Sequence, residues 1–247
     1  MGNAVVHFEM NAPDAAPLEK FYGEVFSWEM KPLPPEAGYT LIDTRGGAGI
    51  NGGIGTTPDG SSIRFYVEAA DLQPLLDKAE SLGGRTVTPI TEVPNMVTYA
   101  LLADPDGLVI GLVKNEGGGE EGAYAPSAGE GAPVDWFEVM GTDGERTHRF
   151  YTELFGWKAN DSGFPGYWLI DTDSGGHGIG GGIGASSEAQ WATVYAHVQD
   201  VEATLTRAED LGGARVYGPN AVDDHMKTGA FRDPAGLIFG VYEHPEH

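Results

Sequence analysis

One octapeptide pattern occurs twice in the chain. FYGEVFSW runs from Phe21 to Trp28 and FYTELFGW from Phe150 to Trp157, an offset of 150 − 21 = 129 residues. The same offset carries Phe8-Glu9 onto Phe137-Glu138 and Gly52-Gly53-Ile54 onto Gly181-Gly182-Ile183. It also carries Leu82-Gly83-Gly84 onto Leu211-Gly212-Gly213 and Asp104-Pro105 onto Asp233-Pro234. Only at YTLIDT and YWLIDT does the register slip, by one residue. A register held over a whole unit means duplication, so one supersecondary unit has to fold twice. Between the copies, Lys114 to Pro133 reads KNEGGGEEGAYAPSAGEGAP. That composition buries little and reads as a linker. The expected organisation is a first module at 1–114, a linker at 115–132 and a second module at 133–247.

Each copy reads alike. A strand (Val5–Met10; Val134–Met140) leads to an Asp suited to cap a helix, Asp14 or Asp143. In the first helix Leu18, Phe21, Tyr22, Val25 and Phe26 form one apolar stripe. Two short strands follow, Tyr39–Asp43 and the Gly-rich Gly49–Gly55, with counterparts Tyr167–Asp171 and Gly178–Gly184. A strand at Ile63–Glu68 precedes a second helix with Leu72, Leu75, Leu76, Ala79 and Leu82 on its face, and Gly83 is placed for a left-handed C-cap. A hairpin, Val97–Ala103 and Leu108–Val113, turns on Asp104–Gly107; its counterpart turns on Asp233–Gly236. The expected class is α+β, two tandem βαβββ-type modules.

FYxxxFxW after the first strand, the Gly-rich strand, LGG after the second helix and DPxG before the last strand, in that order and twice, resemble the vicinal oxygen chelate superfamily. That group holds glyoxalase I, bleomycin-resistance proteins and extradiol dioxygenases. GAPVDWFEVMGTD, which opens the second copy, is similar to tandem bacterial members described as glyoxalase or hydroxylase. The resemblance covers nearly all of both halves and implies cupped mixed sheets, helices outside and a cavity within. It also implies metal-ligand positions on four strands. These fall on His7 and Trp136, near Asn51 and Gly180, on Arg64 and Thr193, and on Gly111 and Gly240. Such a metal needs several N or O donors converging at roughly 2–2.3 Å. These positions offer one His and no carboxylate, so the usual metal quartet is expected to be absent and no cofactor is expected. His7 is the one candidate metal ligand, with His177, Asp43 and Asp171 near the loosely aligned strand.

Strand residues alternate faces. With Val6 and Phe8 under the helix, Val5, His7 and Glu9 turn into the cup, as do Trp136 and Glu138 in the second copy. Arg64, Tyr66 and Glu68 face the same way, with partners Trp191, Thr193, Tyr195 and His197, and Val109, Gly111 and Val113 form a smooth wall. The glycines of NGGIG and GIGGGIG suit a close approach by a ligand or another backbone. Sheets from both copies are expected to enclose one chamber. Glu9 and Glu138 are the candidate catalytic carboxylates, able to serve as bases if desolvated. His7, Arg64, Tyr66, Trp136, Trp191, Thr193, Tyr195 and His197 are the candidate ligand-binding residues, with Arg64 an anchor for an acid or phenol. The duller readings are structural carboxylates, a hydrogen-bonded strand histidine and packing tryptophans.

Composition narrows the partners. Lys and Arg number 14 against 37 Asp and Glu, a net charge of −23 that repels nucleic-acid phosphates. There is no Cys, no apolar run long enough to span a bilayer, and no basic-then-apolar leader in MGNAVVHFEM. A cytoplasmic monomer or homodimer is expected. The favoured function is binding or modification of a small, aromatic or anionic organic molecule. The alternatives are a metal-dependent lyase, isomerase or dioxygenase with atypical ligands, and an interaction module with a vestigial cavity.

Overall fold

The computed structural model describes residues 2–94, 96–114 and 125–244. Positions 115–124 of the expected linker and His247 of the C-terminal tail lie outside the described residues. The first copy opens with β1 (Val5–Ala12), α1 (Ala16–Phe26), β2 (Glu29–Pro32), β3 (Tyr39–Asp43) and β4 (Asn51–Thr56). It continues with β5 (Ser62–Ala69), α2 (Gln73–Ser81), β6 (Arg85–Val93), β7 (Val97–Ala103) and β8 (Val109–Lys114). The second copy runs β9 (Val134–Gly141), α3 (Gly144–Phe155), β10 (Lys158–Asp161), β11 (Tyr167–Asp171) and β12 (Gly180–Ala185). It closes with β13 (Trp191–His197), α4 (Val201–Asp210), β14 (Ala214–Ala221), β15 (Lys227–Arg232) and β16 (Ile238–Glu243).

The caps and stripes explain these boundaries. Asp143 caps α3 by accepting the Arg146 N–H, whereas α1 is capped at Ala15 with no side-chain bond: Asp14, expected as its cap, lies one residue earlier and accepts the Ala16 N–H at 3.2 Å. All five residues of the α1 stripe are buried. Gly83 takes a φ of +93° as α2 ends, the left-handed conformation expected there. The sequence reading omitted β2, β6 and their counterparts β10 and β14. These are the sheets' outermost strands, short or proline-bearing and mostly exposed, so they carry little apolar alternation.

Each copy builds one eight-stranded mixed sheet, in the orders β2-β3-β4-β1-β5-β8-β7-β6 and β10-β11-β12-β9-β13-β16-β15-β14. Four helices lie outside, and the class is α+β. The chain also divides into two compact units that cut across the copies. One comprises Met1–His7, Arg64–Ala123 and Trp136–Ala192; the other comprises Phe8–Ile63, Tyr124–Asp135 and Thr193–His247.

The first unit has its own aromatic core. Phe65 of β5 and Phe137 of β9 meet at 4.9 Å between ring centroids, and Trp157 sits 5.2 Å from Phe137. The Tyr151 hydroxyl donates to Asp104 at 3.2 Å. The core of the second unit is analogous. Phe8 packs on Trp28 at 5.5 Å and on Phe239 at 6.4 Å, and the Tyr22 hydroxyl donates to Asp233 at 3.0 Å. In each unit, residues from the two copies therefore meet through their helix-side faces. By strand alternation, Tyr66 and Glu138 in the first unit lie on faces turned away from each other. The same holds for Glu9 and Tyr195 in the second. Within neither unit do the two copies line a common chamber where they meet: Phe65 and Phe137 fill that place in the first unit, and Phe8 and Phe239 in the second.

Candidate functional site

In the first unit, His7 lies half-buried at the start of β1, its ring edge-on to Tyr66 at 5.8 Å. Arg64 is half-buried on β5. Tyr66 covers Gly111, where a Cβ would overlap its ring, so the wall expected to be smooth is instead roofed by that tyrosine. Val6 packs in an apolar cluster with Ala4, Tyr66 and Val113 rather than under the helix. The Ala4 carbonyl accepts the Glu68 N–H at 2.8 Å and draws the start of the strand against β5.

The same unit holds the face with the densest chemistry. Trp136 and Glu138 are half-buried on β9, in register with Gly180 and Gly182 of β12. The Tyr167 hydroxyl donates to Glu138 Oε1 at 2.7 Å while its ring lies over Gly182 and Gly184. What approaches the Gly-rich strand is thus the protein's own aromatic rings, Tyr167 on one face and Phe137 on the other. Sequence reasoning did not select Tyr167; a tyrosine opposite alternate glycines was its available signal. Beside it opens a cleft of about 540 Å³ lined by Asp161, Phe164, Pro165, Tyr167 and Trp168. Trp191, expected in the wall, is 37% exposed at the first position of β13.

In the second unit Glu9 is half-buried and accepts from Asn11 Nδ2 at 2.6 Å. Tyr39 lies over Gly53 and borders a smaller cleft of about 330 Å³. Thr193 is buried and its hydroxyl donates to the Ile238 carbonyl at 2.8 Å, which commits it to the backbone. Tyr195 covers Gly240, and its hydroxyl lies 3.3 Å from that of Tyr217. Thr228 donates to the Tyr217 hydroxyl at 3.2 Å. His197 stacks on Tyr242, with centroids 4.8 Å apart and planes 8° apart, and Tyr242 donates to Asp135 at 2.8 Å. Burial pushes the Asp135 carboxyl up, against the Tyr242 hydrogen bond and the charge of His197. Burial likewise pushes the Tyr242 phenol up, with Asp135 adding to it. Asp135, Tyr217 and Tyr242 were not anticipated from sequence.

The donor set does not fit the metal that the resemblance implies. At Gly111 and Gly240, a ligating side chain would have to displace the tyrosine ring that fills the space. Asn51 Oδ1 accepts the Thr44 N–H at 2.9 Å. His177 pairs with Glu68 at 3.0 Å, and Asp43 with Lys31 at 3.0 Å. Among the described residues, no three His, Asp or Glu side chains group closely enough to hold an ion.

Comparison with known proteins follows the same outline. Residues 7–113 match the family described as a glyoxalase-like domain. Residues 134–241 match the glyoxalase/bleomycin resistance protein/dioxygenase superfamily. The anthracycline biosynthesis protein DnrV of Streptomyces peucetius is 29% identical over 259 residues, covering 96% of this chain and 91% of its own length. The Mn(II)-bound glyoxalase of Novosphingobium aromaticivorans superposes with a TM-score of 0.72 at 15% identity, covering 99% of this chain and 84% of that one. The 2,3-dioxygenase LapB of Pseudomonas sp. KL28 gives 0.67 at 17% identity, covering 100% and 96%.

Proposed function

Because this chain belongs to the glyoxalase/bleomycin resistance protein/dioxygenase superfamily, as a tandem pair of its domains, we propose that it binds a small hydroxylated aromatic molecule on the Trp136–Glu138 face. One observation carries this reading: Glu138 and Tyr167 stand 2.7 Å apart on a glycine floor. Trp136 lies beside them, and a cleft of about 540 Å³ opens next to Tyr167. Ligand sites of roughly 300–1,000 Å³ with aromatic walls and a few polar groups are the usual small-molecule form. Trp136 offers a stacking surface, Glu138 accepts a ligand hydroxyl, and Tyr167 holds the carboxylate in place. The curated relative named for anthracycline biosynthesis supports a polycyclic, phenol-bearing ligand.

An enzymatic form of the reading uses the same pair. Glu138 takes a proton from the bound phenol or enol while Tyr167 fixes its orientation. No step requires a resident metal, since the donors do not fit one.

Tryptophan-fluorescence titration with phenolic polycyclic compounds tests the reading. Glu138→Gln and Trp136→Leu are each expected to weaken binding at least tenfold, about 1.4 kcal/mol. Treatment with a chelator leaves binding unchanged. A panel in which no compound quenches fluorescence or raises the melting temperature would sink the proposal, and binding lost on chelation would return a metal to the site.

A further inference from the structure

The two copies differ on the helix side of their sheets. Thr40 of β3 pairs with Ile54 of β4, as Trp168 of β11 pairs with Ile183 of β12. Glu19 of α1 stands 129 residues before His148 of α3, the offset that relates the copies. In the second copy both positions carry rings, and His148 stacks on Trp168 with centroids 4.5 Å apart and planes 17° apart. In the first copy the Thr40 hydroxyl donates to Glu19 Oε1 at 2.7 Å. Thr40 and Glu19 line the cleft of about 330 Å³, together with Asp14 and Ile54.

The fold itself does not need the acid, because the same scaffold seats an indole and an imidazole in the second copy. The exchange sets a half-buried carboxylate against Thr40 and Ile54, both buried. Keeping a carboxylate from water is costly unless it is paired. Among the described residues the one hydrogen-bond partner of Glu19 is the Thr40 hydroxyl, and no Lys or Arg pairs with it. The charged side chains lining the cleft are Asp14 and Glu19, both acidic. Their two charges outweigh the roughly half positive charge at the N-terminus of α1. The rim is set in advance of any ligand. Pro32, Pro34 and Pro35 fix their own φ. The Leu33 N–H donates to the Tyr39 carbonyl at 3.0 Å, and the Thr56 N–H donates to the Gly38 carbonyl at 2.9 Å.

We propose that this cleft binds a small free amine, protonated and carried on a compact apolar body, with Glu19 as the anchor of the ammonium group. Glu19 Oε2 and the Asp14 carboxyl accept charge-assisted bonds from the ammonium. Ile54, Leu33 and the prolines pack on the apolar body. A ligand carboxylate is repelled and a neutral alcohol forgoes the ionic bond, so selectivity runs from amine to alcohol to acid. A cleft near the low end of the usual roughly 300–1,000 Å³ holds one ring rather than a polycycle. The site differs from the Glu138 face in the charge of its ligand and in every residue that carries it, so either reading can fail without the other.

The experiment is isothermal titration of the full chain at neutral pH with cyclohexylmethylamine, cyclohexylmethanol and cyclohexanecarboxylate. None of these offers the Glu138 face an aromatic ring or a phenol. The wild type is expected to bind the amine at least tenfold more tightly than the alcohol and to leave the acid unbound. Glu19→Gln keeps an acceptor for Thr40 and removes one of 37 acidic residues, too little to change the overall field; it is expected to weaken the amine at least tenfold. Glu19→His with Thr40→Trp installs the second copy's pair and is expected to fold and to lose the amine. If that double variant does not fold, Glu19→Gln carries the test. Glu138→Gln is expected to retain the amine. N-acetyl-lysinamide in the same panel separates a free amine from a lysine side chain of a partner protein, and is expected to bind more weakly than the cyclic amine. The proposal is overturned by an amine bound no better than the alcohol or not at all, by undiminished affinity in Glu19→Gln, by a loss confined to Glu138→Gln, or by tighter binding of the lysinamide.

Discussion

At the scale of single residues, the two recurrent motifs explain each other. The Tyr of FYxxxFxW and the Asp of DPxG form one hydrogen bond, and its partners come from opposite copies: Tyr22 with Asp233, Tyr151 with Asp104. Each Asp also accepts two backbone N–H groups of its own turn, all at 2.9 Å. Tyr22→Phe leaves Asp233 buried with one acceptor site unfilled. It should cost about 1–2 kcal/mol in urea unfolding, and Tyr151→Phe should match it. Asp43 supplies a pH dependence. Burial pushes its carboxyl up, but hydrogen bonds from Lys31, Ser127 and Arg45 outweigh this and hold it at about 2. Its contribution is therefore present above the unfolded aspartate value, near 3.9 by the usual reference, and is lost as pH falls toward 2. Asp43→Asn should lower the melting temperature at neutral pH, and its curve should converge with that of wild type by about pH 2. A gap that persists at that acidity would assign the effect to packing.

At the scale of elements, the Gly-rich strands matter because they leave room for tyrosine rings. Gly182→Ala drives a methyl into Tyr167 and should loosen the Glu138–Tyr167 pair; Gly111→Ala should do the same to Tyr66. Overpacking of this kind costs roughly 1–3 kcal/mol, and a melting temperature unchanged in both variants would refute the tight fit. Helices and inner strands were legible because burial writes a period into them: the α1 stripe at Leu18, Phe21, Tyr22, Val25 and Phe26 is buried residue for residue. Strand alternation turned His7, Glu9 and Glu138 into the cup, and all three are half-buried. It did not reveal which sheet faces meet, since that choice depends on Phe65 finding Phe137 far along the chain. Nor did it single out Asp135 or Tyr242, whose signal appears only when the copies are aligned and valine is found at the matching positions.

At the scale of the molecule, both compact units draw on both copies, so neither copy holds a complete aromatic core. Expressed separately, segments 1–114 and 133–247 should each lack a cooperative unfolding transition, and mixing them should restore one. Two independently folding halves would contradict this. The net charge of −23 adds self-repulsion over the whole surface. Moderate salt should therefore raise the melting temperature by screening it. No helix among the described residues is long and apolar enough to cross a membrane.

The crossed tyrosine–aspartate bonds also govern how such a chain can be recombined with a relative. A crossover in the linker would join a foreign Tyr22 to a resident Asp233 and put mismatched partners in both cores at once. Junctions at 7/8, 63/64, 123/124, 135/136 and 192/193 would instead transplant a whole unit with its bonded pair intact. Libraries cut at those seams should yield more folded chimeras than libraries cut between the repeats.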